Sequence, residues 1–113
     1  MLDISYEFRK GILFVRLCGE LTKKTSYKLQ KEITDMIRDN GITNVVFNIS
    51  KLISIDEVGV NNLYNNLELC YKNCGKVLFC KPNKEIELFL EEYKFVTSSF
   101  IDNELCAFQK ITI

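Results

Sequence analysis

The chain has 113 residues, of which 47% are hydrophobic and 27% charged, and its formal net charge is zero. These values are typical of a single globular domain with a hydrophobic core. The neutral charge argues against nucleic-acid binding, because no cationic surplus is present to meet a phosphate backbone. The first ten residues lack the apolar stretch of a signal peptide, and no apolar run is long enough to span a bilayer. We therefore expect a cytoplasmic protein without direct membrane contact.

The chain contains five cysteines and no histidine. An odd number of cysteines without a CxxC pair is typical of reduced, partly buried thiols and not of a disulfide framework. Without histidine, no Ser-His or Cys-His nucleophile and no imidazole metal site can form. An acid–base pair would have to come from Glu20, Asp56 and Glu57, and no spacing places Glu20 beside Asp56. We expect no catalytic residue, no metal and no cofactor.

The first third of the chain predicts a strand hairpin and then a helix. Residues 3–8 alternate as a half-buried strand does, residues 9–11 form a turn, and residues 12–17 form a second, antiparallel strand. The apolar face of the first strand would carry Ile4, Tyr6 and Phe8. Residues 19–21 are predicted to be a connector.

Thr22 or Thr25 is predicted to cap a helix that runs to about Asn40 and stops at Gly41. Its apolar stripe consists of Leu29, Ile33, Met36 and Ile37. Residues 45–49 predict a short central strand, and residues 51–55 predict a linker to the next helix.

A second helix is predicted to start near Asp56 and to end before Gly75. Its buried face would consist of Val60, Leu63, Leu67, Cys70 and Tyr71. A strand over residues 76–80 follows, and Asn83 then caps a third helix. The apolar stripe of this helix would consist of Ile86, Phe89, Leu90 and Tyr93.

An edge strand over residues 96–101 and a terminal helix complete the prediction. The terminal helix would start at Asp102 or Asn103 and end at Phe108. The order is ββαβαβαβα, which predicts one α/β domain over residues 1–113 with a mixed, mostly parallel sheet of about five strands. An exposed last strand could also pair with a second copy as a weak homodimer.

Residues 44–63, NVVFNISKLISIDEVGVNNL, place a strand and a connector before Asp-x-x-Gly at a helix start. Residues 18–21, CGEL, follow the second strand. With the element order, these segments resemble the STAS domain family, of the anti-sigma-factor antagonist type. The resemblance implies a non-enzymatic bacterial regulator that binds a serine-kinase anti-sigma factor and so frees a sigma factor. Thr22 departs from the Asp that often follows Gly-Glu-Leu in that family.

The family's kinase phosphorylates the serine after the signature Asp, and the modified antagonist then releases its partner. In this chain Glu57 stands in place of that serine and Val58 follows it, so neither position has a hydroxyl. The resemblance therefore implies a protein that is not phosphorylated at the family's usual position.

Glu57 has three interpretations. It is a favourable first-turn residue, and Ser54-x-x-Glu57 also matches a capping box with Ser54 as the cap. Alternatively, its carboxylate partly imitates the phosphorylated form, with one negative charge in place of nearly two. In the third interpretation the switch lies at another hydroxyl, with Ser50, Ser54 or Thr25 as candidate acceptors.

We predict a partner-binding surface around the start of the second helix, where unpaired N–H groups favour negative charge. Gly59 in the first turn is either a mild destabiliser of the helix or a position where a partner's backbone approaches closely. The candidate residues of this surface are Glu20, Thr22, Asp56, Glu57, Val58, Gly59 and Asn62. The alternative function is a STAS subunit that stabilises a membrane partner in a lipid or anion transporter complex.

Overall fold

The computed structural model describes residues 1–93 and 99–111. Five strands form one sheet in the order β1-β2-β3-β4-β5. Their bounds, in chain order, are Leu2–Arg9, Ile12–Leu21, Asn44–Ile55, Lys76–Cys80 and Phe100–Ile101. β1 and β2 pair antiparallel, and the remaining neighbours pair parallel. The predicted mixed, mostly parallel sheet is therefore confirmed.

Within the described residues, four helices connect or follow these strands, besides a short 3₁₀ turn at Glu104–Cys106. Helix α1 is built from Ser26–Leu29, a π-helical stretch Gln30–Thr34, and Asp35–Asn40, which follow one another without a break. Helices α2, α3 and α4 comprise Glu57–Lys72, Lys84–Glu92 and Ala107–Lys110. Gly41 ends α1 with φ of 59°, the left-handed conformation that favours glycine, as predicted.

The sheet has a hydrophobic cluster on each face. The larger cluster packs α1, α2 and α3 on one face and includes Leu29, Ile33 and Leu63. The smaller cluster packs the C-terminal segment on the other face and includes Phe14 and Ala107. This arrangement leaves the carboxyl ends of β2 and β3 at one edge, where α2 begins.

β2 and β3 are longer than the sequence predicts. Residues 19–21 and 51–55, which were predicted to be a connector and a linker, continue the parallel ladder as far as Leu21↔Ile55. The prediction was wrong because the strands extend through pairing with each other, while polar residues along them obscure the alternation. The register shifts between Gly19↔Leu52 and Glu20↔Ser54, so Ile53 is an extra residue in β3. This bulge leaves the Ile53 side chain 71% exposed.

Several aromatic residues predicted to be buried lie at the surface. Tyr6 and Phe8 of β1 are 52% and 56% exposed, since β1 is an edge strand with a neighbouring strand on one side only. Tyr71 is also exposed, because it lies about 100° around the helix from the buried Cys70. Tyr93 is 38% exposed and lies just after the end of α3.

The C-terminal region partly matches its prediction. The described part of the last strand is Phe100–Ile101, and residues 96–98 of the prediction lie outside the described residues. Asn103 accepts a hydrogen bond from the Cys106 amide, so it caps a 3₁₀ turn as predicted. The following helix ends at Lys110 and not at Phe108.

The five cysteines all lie in the described part of the chain, and all are free. Cys70 and Cys80 are buried, and burial raises the pKa of each thiol to about 12. A thiol with so high a pKa has little thiolate at neutral pH and is a poor nucleophile.

Arg16 binds the C-terminal segment to the face of the sheet opposite α1, α2 and α3, which we call the open face. Its guanidinium donates to both carboxylate oxygens of Glu104, at 2.9 and 2.8 Å, and to Glu7 at 2.8 Å. The Asn48 amide also donates to Glu104 at 2.9 Å. The bonds from Arg16 hold the pKa of the Glu104 carboxyl below its usual value.

Replacing Glu104 with glutamine is expected to lower the free energy of unfolding at neutral pH by about 1–2 kcal/mol, since it weakens bonds between charged groups. The pKa of Glu104 is lower in the folded chain than in the unfolded chain. The stabilisation is therefore complete above the unfolded pKa of this carboxyl group and is lost as the pH falls through its folded pKa. Urea titrations at neutral pH and below about pH 4 measure the effect. The difference between native chain and variant should shrink in acid, while the exposed-site control Glu32→Gln should match the native chain at both pH values. A difference that does not change with pH would contradict the assignment.

Candidate functional site

Asp56 joins the start of α2 to the loop after β2. As the N-cap of α2, it accepts a hydrogen bond from the Gly59 amide through Oδ1 at 2.9 Å. Its other oxygen, Oδ2, accepts from the Lys23 amide at 2.9 Å, and its own amide donates to the Leu21 carbonyl at 3.3 Å. Asp56, and not Ser54, is therefore the cap of this helix. One carboxylate fixes both segments that form the site.

Replacing Asp56 with alanine is expected to destabilise the protein by about 1–2 kcal/mol, because two backbone amides lose their acceptor. Asp56→Asn is the matched variant. Its amide oxygen can still cap α2, but its Nδ2 group cannot accept from the Lys23 amide. Urea unfolding should therefore rank the native chain first, Asp56→Asn second and Asp56→Ala last. Equal stability of all three proteins would show that the two bonds are not important for folding.

Gly59 is buried at the contact between α2 and the end of β2. A Cβ atom at this position would overlap the Leu21 carbonyl oxygen and lie 2.9 Å from Cγ1 of Ile55. The close backbone approach that Gly59 permits is therefore made by the chain itself. Gly59 supports the site through packing.

Glu57 and Val58 lie on the exposed surface of the first turn of α2. Glu57 is exposed, and Val58 is 41% exposed. Nearby, Ile53 projects from the β3 bulge and lines a depression of about 120 Å³ together with Phe89 of α3. The first turn of α2 and the β3 bulge therefore combine the exposed Glu57 carboxylate with apolar side chains.

Glu20 and Thr22 lie at the same edge, but their roles differ. Glu20 accepts from the Ser54 hydroxyl at 3.4 Å and from the Met1 ammonium at 3.1 Å. The bond from the ammonium holds the pKa of the Glu20 carboxyl below its usual value. Thr22 accepts from the Ser26 amide through its carbonyl at 2.8 Å, so it shapes the loop before α1.

The predicted side-chain cap of α1 is not present. Thr25 precedes the helix, but its hydroxyl donates to the Glu20 carbonyl at 2.7 Å and accepts from the Thr22 amide at 2.9 Å. The threonines therefore tighten the loop at the end of β2, and neither side chain caps the helix.

Asn62 links α2 to α1. Its side-chain amide donates to the Ser26 carbonyl at 3.3 Å, and its backbone carbonyl accepts from the side-chain amide of the buried Asn66 at 2.8 Å. Asn66 also accepts from the hydroxyl of Thr34, the last residue of the π-helical stretch of α1, at 2.9 Å. Asn62 is thus turned mainly towards the neighbouring helix and contributes less to the exposed surface than Glu57.

A larger groove, of about 440 Å³, lies on the open face of the sheet away from this site. Its lining includes Arg16, Asn48 and Lys51. No local pattern in the sequence indicates this groove, because its lining comes from three different strands, β1, β2 and β3. Within residues 1–93 and 99–111, no group of three or more acidic or cysteine side chains has a metal-binding arrangement, and no helix is long and apolar enough to cross a membrane.

Comparison with known proteins gives one family and several similar folds. The STAS domain model matches residues 3–105. An anti-sigma F factor antagonist from Paenibacillus polymyxa is 25% identical over 113 residues, covering 99% of this chain and 97% of the relative. The anti-sigma factor antagonist SpoIIAA in its unphosphorylated form has a TM-score of 0.75 at 16% identity, with 96% of each chain covered. The Thermotoga maritima protein tm1081 has a TM-score of 0.82 at 18% identity, covering 96% of this chain and 93% of its own.

Proposed function

We propose, since this chain belongs to the STAS domain family, that it is a non-enzymatic cytoplasmic regulator that binds an anti-sigma factor of the serine-kinase type. The full-length similarity to a protein named anti-sigma F factor antagonist supports the class of partner. The observation that carries the proposal is the exposed Glu57 at a helix start held rigid by Asp56.

The docking surface consists of Glu57, Val58 and Ile53, with Glu20 beside them. Ile53 and Val58 are 71% and 41% exposed, and burying them against a partner would supply the hydrophobic part of the binding energy. The carboxylates would select a partner surface that carries cationic side chains. Asp56 and Gly59 hold this surface in place from within the chain.

Glu57 fixes a negative charge where the family has its phosphorylated serine. Among the described residues, no hydrogen bond or ion pair occupies its carboxylate, and Gly59, not a glutamate, stands at the capping-box position relative to Asp56. We infer that the protein binds its partner without a phosphorylation cycle at this position, because Glu57 has no hydroxyl group to accept a phosphate.

The test uses the kinase-type anti-sigma factor of the same organism, the native chain and Glu57→Ser. Calorimetric titration measures binding, and intact-mass analysis after incubation with ATP measures phosphate transfer. We expect the native chain to bind and to gain no phosphate, and Glu57→Ser to gain one. Absence of binding, or a phosphate mapped to residues 50–62 of the native chain, would contradict the proposal.

The competing proposal is a STAS subunit of a lipid or anion transporter complex. It predicts that the chain co-purifies with a membrane transporter and shows no affinity for the anti-sigma factor. Genes for a sigma factor and a kinase-like anti-sigma factor beside its own gene would favour signalling, whereas a transporter operon would favour this alternative.

A further inference from the structure

β1 forms one edge of the sheet. It is eight residues long and pairs on one side only, with β2. Its apolar residues Tyr6 and Phe8 are more than half exposed. A long edge strand with exposed apolar side chains is a template for pairing with another strand.

The backbone of β1 restricts how another strand can pair with it. In the hairpin, each residue of β1 lies opposite a residue of β2 such that the two numbers sum to 21. Met1 and Glu20 fit this rule, and they are hydrogen-bonded, because the Glu20 amide donates to the Met1 carbonyl at 2.9 Å. The odd-numbered residues of β1 are therefore the ones whose backbone groups bond to β2. The even-numbered residues direct their N–H and C=O groups outward. The Leu2 carbonyl is an example, since it accepts from the Lys28 ammonium at 2.7 Å and not from β2.

The sequence of β1 is self-complementary in one such register. When Tyr6 lies opposite Tyr6 of a second antiparallel copy, Asp3 lies opposite Arg9, and Ile4 lies opposite Phe8. Each of these two pairs occurs twice, once on each side of the two-fold axis. The charged pairs line the open face and the apolar pairs line the helix-covered face, since odd and even residues alternate. Opposite charges and apolar pairs are the cross-strand contacts that stabilise a sheet.

The neighbouring registers are less favourable. A shift of two residues in one direction places Glu7 opposite Glu7, and a shift in the other places Glu7 opposite Asp3, so each brings like charges together. Larger shifts shorten the overlap of the two strands. A shift by one residue would place even-numbered residues opposite odd-numbered ones, whose backbone groups are already bonded to β2.

We propose that β1 pairs with β1 of a second copy of this chain, antiparallel and around a two-fold axis at Tyr6. The two five-stranded sheets then form one sheet of ten strands. The dimer forms through a single strand pair, so its population depends on protein concentration. This edge differs from the last strand, which was predicted from the sequence as a possible site of pairing with a second copy.

The experiment is sedimentation of the native chain, Asp3→Arg and Arg9→Asp over a concentration series that reaches the millimolar range. Each variant alone places two like-charge pairs across the axis, so its dimer dissociation constant should rise by at least about tenfold. In an equimolar mixture, the Asp3→Arg chain carries arginine at positions 3 and 9, and the Arg9→Asp chain carries aspartate at both. Each cation therefore faces an anion across the two-fold axis. The mixture should therefore form a heterodimer. Asp3 and Arg9 are exposed, and circular dichroism of each variant checks the fold.

Three outcomes would overturn the proposal. The native chain could remain monomeric at every concentration, which would rule out the pairing. The single variants could dimerise as well as the native chain, which would place the dimer on another surface. Finally, the mixture could stay monomeric although both variants are folded, which would refute the register centred on Tyr6.

Discussion

Replacing Glu57 with lysine is expected to weaken binding of the anti-sigma factor about thirtyfold, equivalent to about 2 kcal/mol. The reason is that Glu57 is the exposed carboxylate of the first turn of α2, beside the apolar Val58. A lysine there would repel the cationic partner surface and would also oppose the positive end of the helix dipole. Calorimetric titration of the native and variant chains measures the change.

Glu68→Lys is the matched control for this charge reversal. Glu68 is also an exposed glutamate of α2, and it lies eleven residues further along, about 16 Å at the rise of an α-helix. This variant should bind within a factor of about two of the native chain if only the helix start contacts the partner. Equal weakening by both substitutions would indicate a general effect of charge, and no weakening by Glu57→Lys would show that the docking surface is elsewhere.

Replacing Gly59 with alanine is expected to destabilise the protein by about 2–3 kcal/mol. Glycine to alanine in a helix normally stabilises it by up to about 1 kcal/mol, so helix propensity predicts the opposite sign. At Gly59 the added Cβ would overlap the Leu21 carbonyl oxygen and crowd Ile55, and both belong to the rigid ends of strands. The helix start must then move away from β2, which also disturbs the docking surface.

Urea unfolding of Gly59→Ala and of Asn61→Ala separates packing from propensity. Asn61 is exposed in the same helix, so its replacement should leave stability unchanged or raise it slightly. If Gly59→Ala were as stable as the native chain, the close contact with Leu21 would not constrain this helix.

The sequence predicts the fold well where local patterns determine it. Three helix features occur as predicted: the apolar stripe from Leu29 to Ile37, the end of α1 at Gly41 and the start of α2 at Asp56. They could be predicted because helix periodicity and capping depend on residues that are close in sequence. The bounds of β2 and β3 were wrong because residues 51–55 become a strand only through pairing with residues 18–21.

The sequence indicates where the candidate site lies, but not which distant residues come together there. The resemblance identified the region of Asp56 and Glu57, and the structure places it at the end of the strands that hold Glu20 and Ser54. No sequence pattern could show that Asp56 also binds the Lys23 amide, 33 positions away. The exposure of Ile53 likewise depends on a bulge that only the paired strands produce.

Asn62 and Gly59 illustrate the same limit of local reasoning. Both are candidate residues of the partner-binding surface, and for Gly59 the sequence left open a mild destabilisation of the helix as the alternative. In the structure Asn62 bonds to the α1 backbone and Gly59 packs against β2. The direction of each residue is set by the neighbouring element, which a helix pattern alone does not identify.

The central claim is that the start of α2 docks a kinase-type anti-sigma factor, and amide chemical-shift mapping tests it most directly. The isotope-labelled chain is titrated with the unlabelled anti-sigma factor of the same organism. We predict that the largest changes occur at residues 53–58 and at residues 20–23, with little change at β1 or around Arg16. Absence of any change, or changes confined to β1 or the open-face groove, would contradict the account.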